Sequence, residues 1–367
     1  YVTEKDMTYQ ILKLFDQRIE NIPLVDKNHI PIDLYQKTDF SVSNYRSSTI
    51  IRATVPVRVS FTGGGTDFTK FINNKPCFIL SSTINKFCTA SILLNQNKGI
   101  KIYSRDLDEE IYLSSIKNIK YDGQLDLLKA AIKMMQPQFS FYLETFSECE
   151  KGTGLGGSSA MTIAVLGALN YLRDHNKLNL YNLSDLAFQS ERIDLDIKGG
   201  WQDQYACAFG GFNWIEFNKN EVLVNPLKIQ REYILELEHN LMLFRIGGTH
   251  DSNEIQEAFN IEYTNKHNDQ TIEIMSDLAN QMKNNLLKGN LNRFGSLLHQ
   301  AWKIKKDLNP KVANPLIDKC YSLAIDNGAL GGKLLGAGQS GYLLIYSIPQ
   351  NQNRIRKALE ASGCKIE

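Results

Sequence analysis

The most informative stretch of the 367-residue sequence is a glycine-rich loop, GTGLGGSSA, at residues 152–160. It stands between a predicted strand at Gln138–Cys149 and a predicted buried helix at Met161–His175, which is apolar on nearly every face. Successive glycines let the backbone approach an anion closely, and the first turn of a helix offers free N–H groups and the positive end of its dipole. We therefore predict a phosphate-binding loop in a fold that joins strands to buried helices.

Other kinds of glycine-rich loop explain this segment less well. A flexible linker would not be held between a strand and an apolar helix. Gly152, Gly154 and Gly157 satisfy the GxGxxG pattern of dinucleotide-binding folds, but that pattern needs an acidic residue about 20 positions on, after a second strand. Here that position falls at the end of the predicted helix. A Walker loop ends in Gly-Lys followed by Ser or Thr, whereas the Gly-Lys pair at residues 332–333 is followed by leucine.

Composition and charge exclude several classes of protein. Lysine and arginine number 41 against 40 acidic residues, so the net charge of +1 provides no basic face for nucleic acid. No apolar run approaches the roughly 18 residues of a membrane helix, and the N-terminus lacks the pattern of a secretory leader. We expect a cytoplasmic protein whose six scattered cysteines are reduced and buried, without a structural zinc site and without a membrane partner.

The chain is expected to divide into three parts, namely an N-terminal extension at residues 1–48, a strand-rich domain with the phosphate-binding loop at 49–217, and a second domain at 218–367. In the extension, a helix over Thr8–Ile22 precedes short strands near residues 22–26 and 30–34, an order similar to the second half of a CBS-type regulatory module. A solvated arm that packs on the main body explains the same residues. A polar linker at Lys37–Ser48 follows, and we expect the chain to be cut from a longer polypeptide.

Strand-like and helix-like patterns are interleaved without regular βα repetition, so we predict the α+β class rather than a doubly wound α/β fold. Besides the strand before the loop, predicted strands cover residues 50–61, two pieces within 78–93, a hairpin at 100–105 and 111–113, 212–217 and 342–346. Besides the helix after the loop, predicted helices cover residues 182–194, 254–288, 291–306, 314–327 and 351–362. The glycine-rich segment before residue 342 is predicted to be a turn.

Two further glycine-rich segments flank the central loop. PVRVSFTGGGTDF precedes it at residues 56–68, and GGKLLGAGQSG follows it at residues 331–341. In this order the three segments resemble the motifs of the GHMP kinases, and the resemblance spans residues 50–360. It implies a two-domain fold, with a ribosomal S5 domain 2-like N-terminal domain and a ferredoxin-like α+β C-terminal domain. It also implies a phosphotransferase that uses ATP and Mg²⁺ and transfers the phosphoryl group directly to an alcohol.

The resemblance assigns the nucleotide and its metal ion to two of these segments. In the central loop the implied residues are Gly152, Gly154, Leu155, Gly156, Gly157, Ser158 and Ser159, and in the C-terminal loop they are Gly336 and Gly338. By the residues alone, the C-terminal glycines could equally form a hairpin turn. Glu191 matches the Mg²⁺-binding glutamate of the family, with Ser158 as the hydroxyl ligand and Ser159 as the alternative. For Glu191, a carboxylate on a helix surface is the alternative.

Two residues match the family's catalytic groups. Asp203, in the segment GGWQDQ, matches the catalytic aspartate and would accept the proton of the acceptor hydroxyl as general base. Arg58 lies on a predicted strand before a glycine turn, where a fixed guanidinium could stabilise the transferred phosphoryl group or lower the pKa of the acceptor hydroxyl. From the residues alone, a solvated turn aspartate and an ordinary ion-paired strand arginine stay open.

The first segment also carries the expected acceptor site. Residues 58–68 align without gaps with the galactokinase pattern RVNLIGEHTDY. Asp67 then stands where galactokinases hold sugar hydroxyls, with Thr66 beside it. Gly64 and Gly65 replace a glutamate and a histidine that close over the C6 end of the sugar. We expect the two missing side chains to make room for a longer tail that bears a phosphate.

The GGGTD signature together with GGWQDQ is most similar to the branch of heptose 7-phosphate kinases and fucokinase-type enzymes. This implies phosphorylation of a hydroxyl, expected to be anomeric, on D-glycero-D-manno-heptose 7-phosphate, for nucleotide-activated heptose in surface polysaccharide. A sugar nucleotidyltransferase, fused or separate, is the expected partner. Fucokinase or galactokinase activity is the alternative among enzymes, and a catalytically inactive sugar sensor of the same fold is the alternative from another class.

The sequence departs from the family pattern in two places. Lys151 stands where a proline often precedes the nucleotide loop. Around residues 246–250, where relatives carry a threonine and an arginine that help to bind substrate, this chain reads IGGTH. Arg245 and His250 are the candidates for that role here.

Overall fold

A computed structural model describes most of the chain, namely residues 2–3, 21–36, 50–94, 98–173, 176–219, 221–247, 269–308 and 310–366. The strands are β1 (Val2–Thr3), β2 (Asn21–Val25), β3 (Pro31–Gln36), β4 (Ile50–Thr62), β5 (Cys77–Leu94), β6 (Ile100–Ser104), β7 (Glu109–Leu113), β8 (Phe141–Ser147), β9 (Phe212–Phe217), β10 (Val222–Pro226), β11 (Leu241–Ile246), β12 (Gly331–Leu334), β13 (Gly341–Tyr346) and β14 (Lys365–Ile366). The helices are α1 (Thr69–Ile72), α2 (Asp126–Met135), α3 (Gly157–Tyr171), α4 (Leu180–Phe188), α5 (Gln202–Phe209), α6 (Arg231–Asn240), α7 (Asp269–Leu287), α8 (Leu291–Leu308), α9 (Pro315–Asp326) and α10 (Pro349–Glu360).

The largest sheet has β5 at its centre. Its strands follow the order β10-β9-β5-β8-β6-β7, and β4 pairs with β5 as well. The pairs are antiparallel except for the parallel pair β6 and β8. The sequence predicts two pieces here, but β5 is one strand of 18 residues. Its first half pairs with β9 and its second half with β8, so the polar residues between the two partners do not end the strand.

Helix α3 is buried because it has no polar face. It packs on β4 and β5 and against α2, and most of its 15 residues are buried. It begins at Gly157, four residues before the predicted start at Met161, so Ser158 and Ser159 lie in its first turn. The glycine-rich loop therefore runs directly from β8 into the start of a buried helix, as the sequence predicts.

A second sheet, in the order β12-β13-β11-β14, is antiparallel and packs against α8 and α9. All six residues of β13 are buried, which explains why this strand is apolar without alternation. The sequence predicts only a turn before β13, but Gly331–Leu334 forms β12 and pairs with it. The mixture of sheets and segregated helices confirms the α+β prediction.

The N-terminal segment is described in part. The two predicted short strands are present as the antiparallel hairpin of β2 and β3. The predicted helix over Thr8–Ile22 lies outside the described residues except at its end, where residues 21 and 22 belong to β2. The predicted linker at Lys37–Ser48 lies outside the described residues altogether. The CBS-like interpretation and the three-part division stay predictions, and a boundary placed after β10 would keep the large sheet whole.

All six cysteines are free and buried, as predicted. Among the described residues, none of the helices combines the length and the apolar character needed to cross a membrane.

Candidate active site

Arg58 and Asp203 form a buried ion pair beneath the glycine-rich loop. Arg58 lies on β4 where the register with β5 shifts, and Asp203 lies in the first turn of α5. Nε and Nη2 of Arg58 lie 2.8 and 2.7 Å from Oδ1 of Asp203. Burial lowers the pKa of Arg58, but the charge and hydrogen bond of Asp203, together with the neighbouring Cys207 and Asp67, outweigh it, so the pKa is raised and the arginine stays charged. The sequence-predicted catalytic residues are therefore in direct contact.

The same arginine is bonded to the glycine-rich loop. Nη1 of Arg58 donates to the carbonyl oxygen of Gly154 at 2.6 Å, and its backbone N–H donates to that of Leu155 at 2.9 Å. These bonds fix the loop over the ion pair. The loop residues Gly152, Gly154, Leu155 and Gly156 form the bend before α3, and Gly157, Ser158 and Ser159 form the helix's first turn.

The two predicted nucleotide loops touch each other through glycines. Gly154 and Gly336 both have left-handed backbone conformations, with φ of 81° and 73°. A Cβ atom on Gly336 would lie only 2.3 Å from Cα of Gly154, so no larger residue fits at this contact. Gly338, the other predicted residue of the C-terminal loop, packs on the backbone of Val312. The C-terminal glycines thus belong to the hairpin loop that connects β12 and β13, and this loop lies against the central glycine-rich loop.

Glu191 lies beneath the start of α3. It is fully buried in a π-helical turn at Gln189–Asp194, a local geometry that is frequent at functional sites. Its Oε2 accepts hydrogen bonds from the hydroxyls of Ser158 at 3.3 Å and Ser159 at 3.1 Å, and Nη1 of Arg192 lies 3.2 Å away. Burial raises the pKa of Glu191, although the charge of Arg192 acts in the opposite direction. The carboxylate is therefore buried, which excludes the alternative of a solvated helix surface.

These residues fit a magnesium ion. Mg²⁺ prefers oxygen ligands and is usually held by one or two protein groups together with substrate phosphates and water. Glu191 offers a carboxylate at the N-terminus of a helix, and Ser158 offers an exposed hydroxyl beside it. Ser159 is fully buried below, with its hydroxyl donated to Glu191. Of the two serines, Ser158 is thus the one that an ion outside the helix can reach.

Asp67 lies at the other side of the ion pair. It is 1% exposed, and its carboxylate accepts the backbone N–H groups of Gly65 and Gln202, each at 3.0 Å. Burial is the main cause of its raised pKa, and the charge of Asp203 adds to it. Both aspartates line one cleft, so a bound sugar could contact Asp67 while presenting a hydroxyl to Asp203.

Of the three other residues predicted to bind the acceptor, two line the cleft and one does not. Gly64 lines the cleft, and a Cβ atom on it would lie 3.2 Å from Nε2 of Gln202, so a larger residue would need the Gln202 side chain to shift by a few tenths of an ångström. Gly65 also lines the cleft, but its φ of 98° requires glycine for the backbone alone. Thr66 is buried, and its hydroxyl donates to the carbonyl of Gly63 at 2.8 Å. Thr66 therefore closes the turn and does not line the cleft.

The cleft includes cationic residues that are not among the residues predicted from the sequence. Its lining residues are Arg58, Ser60, Gly64, Gly65, Asp67, Phe68, Arg192, Gly200, Gln202, Asp203, Lys305, Lys333, Gly336 and Ala337. Lys333 stands inside the third glycine-rich segment, and Arg192 is the neighbour of Glu191, so both could have been found from the motifs. Lys305 lies on α8, where a lysine in an amphipathic helix gives no signal.

The remaining candidates lie elsewhere. Nη2 of Arg245 lies 2.8 Å from Oε2 of Glu150, just before the glycine-rich loop, and Arg245 does not belong to the cleft lining. His250 lies outside the described residues.

The chain is similar to known proteins of one family. The family pattern described as GHMP kinases N terminal domain matches residues 126–211, and the pattern described as GHMP kinases C terminal matches residues 282–364. A D-glycero-alpha-D-manno-heptose 7-phosphate kinase from Campylobacter jejuni is 32% identical over 84% of this chain and 93% of its own length. A bifunctional fucokinase/GDP-fucose pyrophosphorylase from Arabidopsis thaliana is 25% identical, over 83% of this chain but 31% of its own length.

Among solved structures, a D-glycero-D-manno-heptose 1-phosphate kinase from Bacteroides thetaiotaomicron is similar to this chain. Its TM-score is 0.71 at 29% sequence identity, and the match covers 87% of this chain and 95% of that one. The names of the two heptose kinases agree on a heptose phosphate and differ in where the phosphate stands.

Proposed function

Given that this chain belongs to the GHMP kinase family, we propose that its acceptor is D-glycero-D-manno-heptose 7-phosphate and that the anomeric hydroxyl receives the phosphoryl group. The coarser activity follows from the family, since the protein is an ATP-dependent sugar kinase with an alcohol as acceptor. One observation supports the proposed acceptor. Asp67 and Asp203 line the same cleft as two buried lysines, Lys305 and Lys333. Such a cleft suits a sugar that already carries a phosphate.

We propose that Asp203 accepts the proton of the acceptor hydroxyl. Both contacts of Arg58 fall on Oδ1 of Asp203, so the ion pair fixes the carboxylate while Oδ2 serves the hydroxyl. Arg58 has a second role, because its guanidinium lies beside the glycine-rich loop and can stabilise charge that develops on the transferred group. Direct in-line transfer needs little more from the protein than this positioning and charge.

For the nucleotide, we propose that the first turn of α3 and the contacting C-terminal glycine loop hold the phosphates of ATP. Ser158 and Glu191 would hold Mg²⁺, whose charge neutralises the phosphate oxygens when the ion is bound. Burial raises the pKa of Glu191, and a bound cation would oppose this shift because it favours the ionised carboxylate.

The position of the acceptor's phosphate decides which hydroxyl reacts. A 7-phosphate leaves the anomeric hydroxyl free, as in the name of the Campylobacter relative, whereas a 1-phosphate, as in the name of the Bacteroides kinase, occupies it. We favour the 7-phosphate because the relative so named is 32% identical over most of both chains. A neutral sugar, as in fucokinase or galactokinase activity, would leave the buried lysines without a counter-charge.

The product of this reaction would be a heptose bisphosphate on the way to nucleotide-activated heptose for surface polysaccharide. The next nucleotide-dependent step needs a sugar nucleotidyltransferase as partner. The Arabidopsis relative, whose name joins a fucokinase to a pyrophosphorylase, supports this kind of coupling.

Phosphorus NMR of the purified protein with Mg²⁺ and ATP tests the proposal. The acceptors are D-glycero-D-manno-heptose 7-phosphate, the corresponding 1-phosphate, mannose 6-phosphate, fucose and galactose. We expect a new anomeric phosphate signal with heptose 7-phosphate and the largest rate for that sugar. Transfer to the 1-phosphate or to a neutral sugar would reject the proposed acceptor and keep the kinase. Sugar binding without transfer to any acceptor would favour the inactive sensor.

A further inference from the structure

Lys305 and Lys333 are two buried lysines of the cleft that the proposed catalytic steps do not use. Lys305 is 9% exposed and Lys333 is 5% exposed, although both line an open cleft. Nζ of Lys305 donates to the carbonyl of Gly336 at 2.6 Å, and Nζ of Lys333 donates to that of Phe61 at 3.3 Å. Each ammonium thus has one neutral acceptor, and in the described part of the chain neither has a carboxylate within 4.0 Å.

The other charges of the cleft compensate these lysines only in part. Arg58 is paired with Asp203, and Arg192 is paired with Glu191. Asp67 is the remaining carboxylate of the lining, and the backbone N–H groups of two neighbours already bind it. Burying a charge without a partner is strongly unfavourable. Two such cations in one cleft are therefore expected to have an anionic ligand.

The chemistry and the location of this ligand can both be deduced. Several ammonium donors in a buried site suit a phosphate dianion, which offers several strong acceptor oxygens. The phosphates of the nucleotide have their own expected partners at the first turn of α3 and in the C-terminal glycine loop. Lys305 instead shares the cleft with Gly64 and Asp67 on the acceptor side, and Asp67 acts on it electrostatically.

We propose that Lys305 and Lys333 together bind the phosphate group that the sugar acceptor carries before the reaction. This inference rests on the proposed function, because it takes the acceptor to be a sugar phosphate. Lys305 comes from α8 and Lys333 from β12, so the two lysines would hold the phosphate from two separate elements. The phosphate would then hold the far end of the sugar while Asp67 and Asp203 contact its hydroxyls.

Steady-state kinetics of Lys305→Met test this inference. The substitution keeps the length and apolar character of the side chain and removes the charge. Lys303→Met is the matched control, because Lys303 is exposed on the same helix. We expect Lys305→Met to lower kcat/KM for heptose 7-phosphate by roughly 10- to 100-fold, as for the loss of a hydrogen bond to a charged group. For unphosphorylated heptose, kcat/KM should fall less than threefold in the same variant.

Further measurements separate phosphate binding from a role in holding the C-terminal loop. Lys305→Arg keeps the charge and should recover most of the loss on heptose 7-phosphate. An equal loss on phosphorylated and unphosphorylated heptose would overturn the inference, because it would mean that Lys305 acts only through Gly336. A rise confined to KM for ATP would also overturn it, since the γ-phosphate would then be the ligand.

Calorimetric binding of inorganic phosphate tests the lysine site without relying on the identity of the sugar acceptor. A saturating non-hydrolysable ATP analogue with Mg²⁺ fills the nucleotide site first. We expect phosphate to bind wild type and Lys303→Met alike, and at least tenfold more weakly to Lys305→Met and to the double variant with Lys333→Met. Equal binding by all variants would reject the lysine site even if heptose 7-phosphate is the substrate. Lysine-dependent binding would support the site even if the NMR panel rejects that substrate.

Discussion

The cleft contains two arginines and two lysines, and the fold treats their charges differently. Arg58 and Arg192 each face a buried or half-buried carboxylate, so their charges are neutralised in the absence of ligand. Lys305 and Lys333 are as deeply buried, but within the described part of the chain their ammonium groups donate to backbone carbonyls and not to carboxylates. The arginines therefore organise the site before substrate binds, and the lysines depend on a ligand. We call the two arginines with their carboxylates the first region and the two lysines the second region. Removing a carboxylate partner should lower activity most in the first region, whereas changing the ligand should affect binding in the second region.

The largest effect is expected from Asp203→Asn, which removes the negative charge that pairs with Arg58 in the first region. The amide cannot accept the hydroxyl proton and leaves Arg58 without its counter-charge, so kcat should fall by roughly 10²- to 10⁴-fold. Binding of ATP, measured by calorimetry, should persist because the glycine loops remain. The control is Asp326→Asn, at the exposed end of α9, which should be silent. Loss of nucleotide binding in Asp203→Asn would assign Asp203 a different role.

The substitution Gly64→Glu tests the second region, because it adds an anion to the cleft that both lysines line. Gly64 has no left-handed backbone requirement, and its nearest neighbours are the side-chain ends of Gln202 and Ser60. We expect Gly64→Glu to lower kcat/KM for heptose 7-phosphate by about 100-fold, because the new carboxylate competes with the substrate phosphate. The loss on unphosphorylated heptose should be smaller.

Gly64→Gln is the control for this variant, since it has the same size without the charge. The difference between the two variants measures the electrostatic part of the effect. If glutamine is as harmful as glutamate, or if both sugars lose equally, Gly64 provides space alone and the phosphate lies elsewhere.

The same comparison shows why one region was predictable from sequence and the other was not. Arg58, Asp203 and Glu191 stand in or beside glycine-rich segments, and the structure brings them together around the start of α3. Their catalytic roles remain predictions. Lys305 stands on an amphipathic helix, and only the packing of α8 against β12 carries it into the cleft. A position that depends on such long-range packing has no local sequence pattern.

Strand and turn predictions failed for related reasons. The polar residues in the middle of β5 resemble a break, but β4 pairs along both halves of the strand and keeps it continuous. Gly331–Leu334 resembles a turn because of its two glycines, but it pairs with β13 and is fully buried. In each case a tertiary contact outweighs the local pattern.

The protonation of Lys305 provides a smaller test of the second region. Burial is the main cause that lowers the pKa of Lys305 to about 8; the charge of Arg58 adds to this shift and the charge of Asp67 opposes it. Lys333 also faces Lys305 and carries a lowered pKa. Above pH 8 the unliganded Lys305 loses its proton, so phosphate binding weakens as pH rises.

We therefore expect KM for heptose 7-phosphate to rise by about tenfold between pH 7 and pH 9 in wild type. Lys305→Arg should flatten this rise, because arginine stays charged throughout, and KM for unphosphorylated heptose should stay nearly constant. Calorimetry in two buffers of different ionisation enthalpy should also detect proton uptake when the sugar phosphate binds at pH 8.5. An unchanged slope in Lys305→Arg would assign the pH dependence to another group.

The smallest expected effect concerns the stability of the unliganded protein. Burial lowers the pKa of Lys333 well below its ordinary value, and the charges of Lys305 and Arg58 lower it further. Between the folded and the unfolded pKa, the unfolded chain binds the proton more tightly, so the free energy of unfolding rises as pH increases through this window. At pH values below the window, the buried ammonium destabilises the fold.

Lys333→Met should therefore raise the free energy of unfolding at pH 7 by about 1 kcal/mol, because a methionine of similar length removes the buried charge. The variant's advantage should shrink as pH approaches 10, where wild type has released the proton. Urea unfolding at several pH values, with Lys303→Met as the exposed control, measures both effects. A less stable Lys333→Met would mean that the contact with the Phe61 carbonyl holds the fold together. A more stable variant that binds sugar phosphate weakly would show that the lysine is kept for its ligand at the expense of the fold.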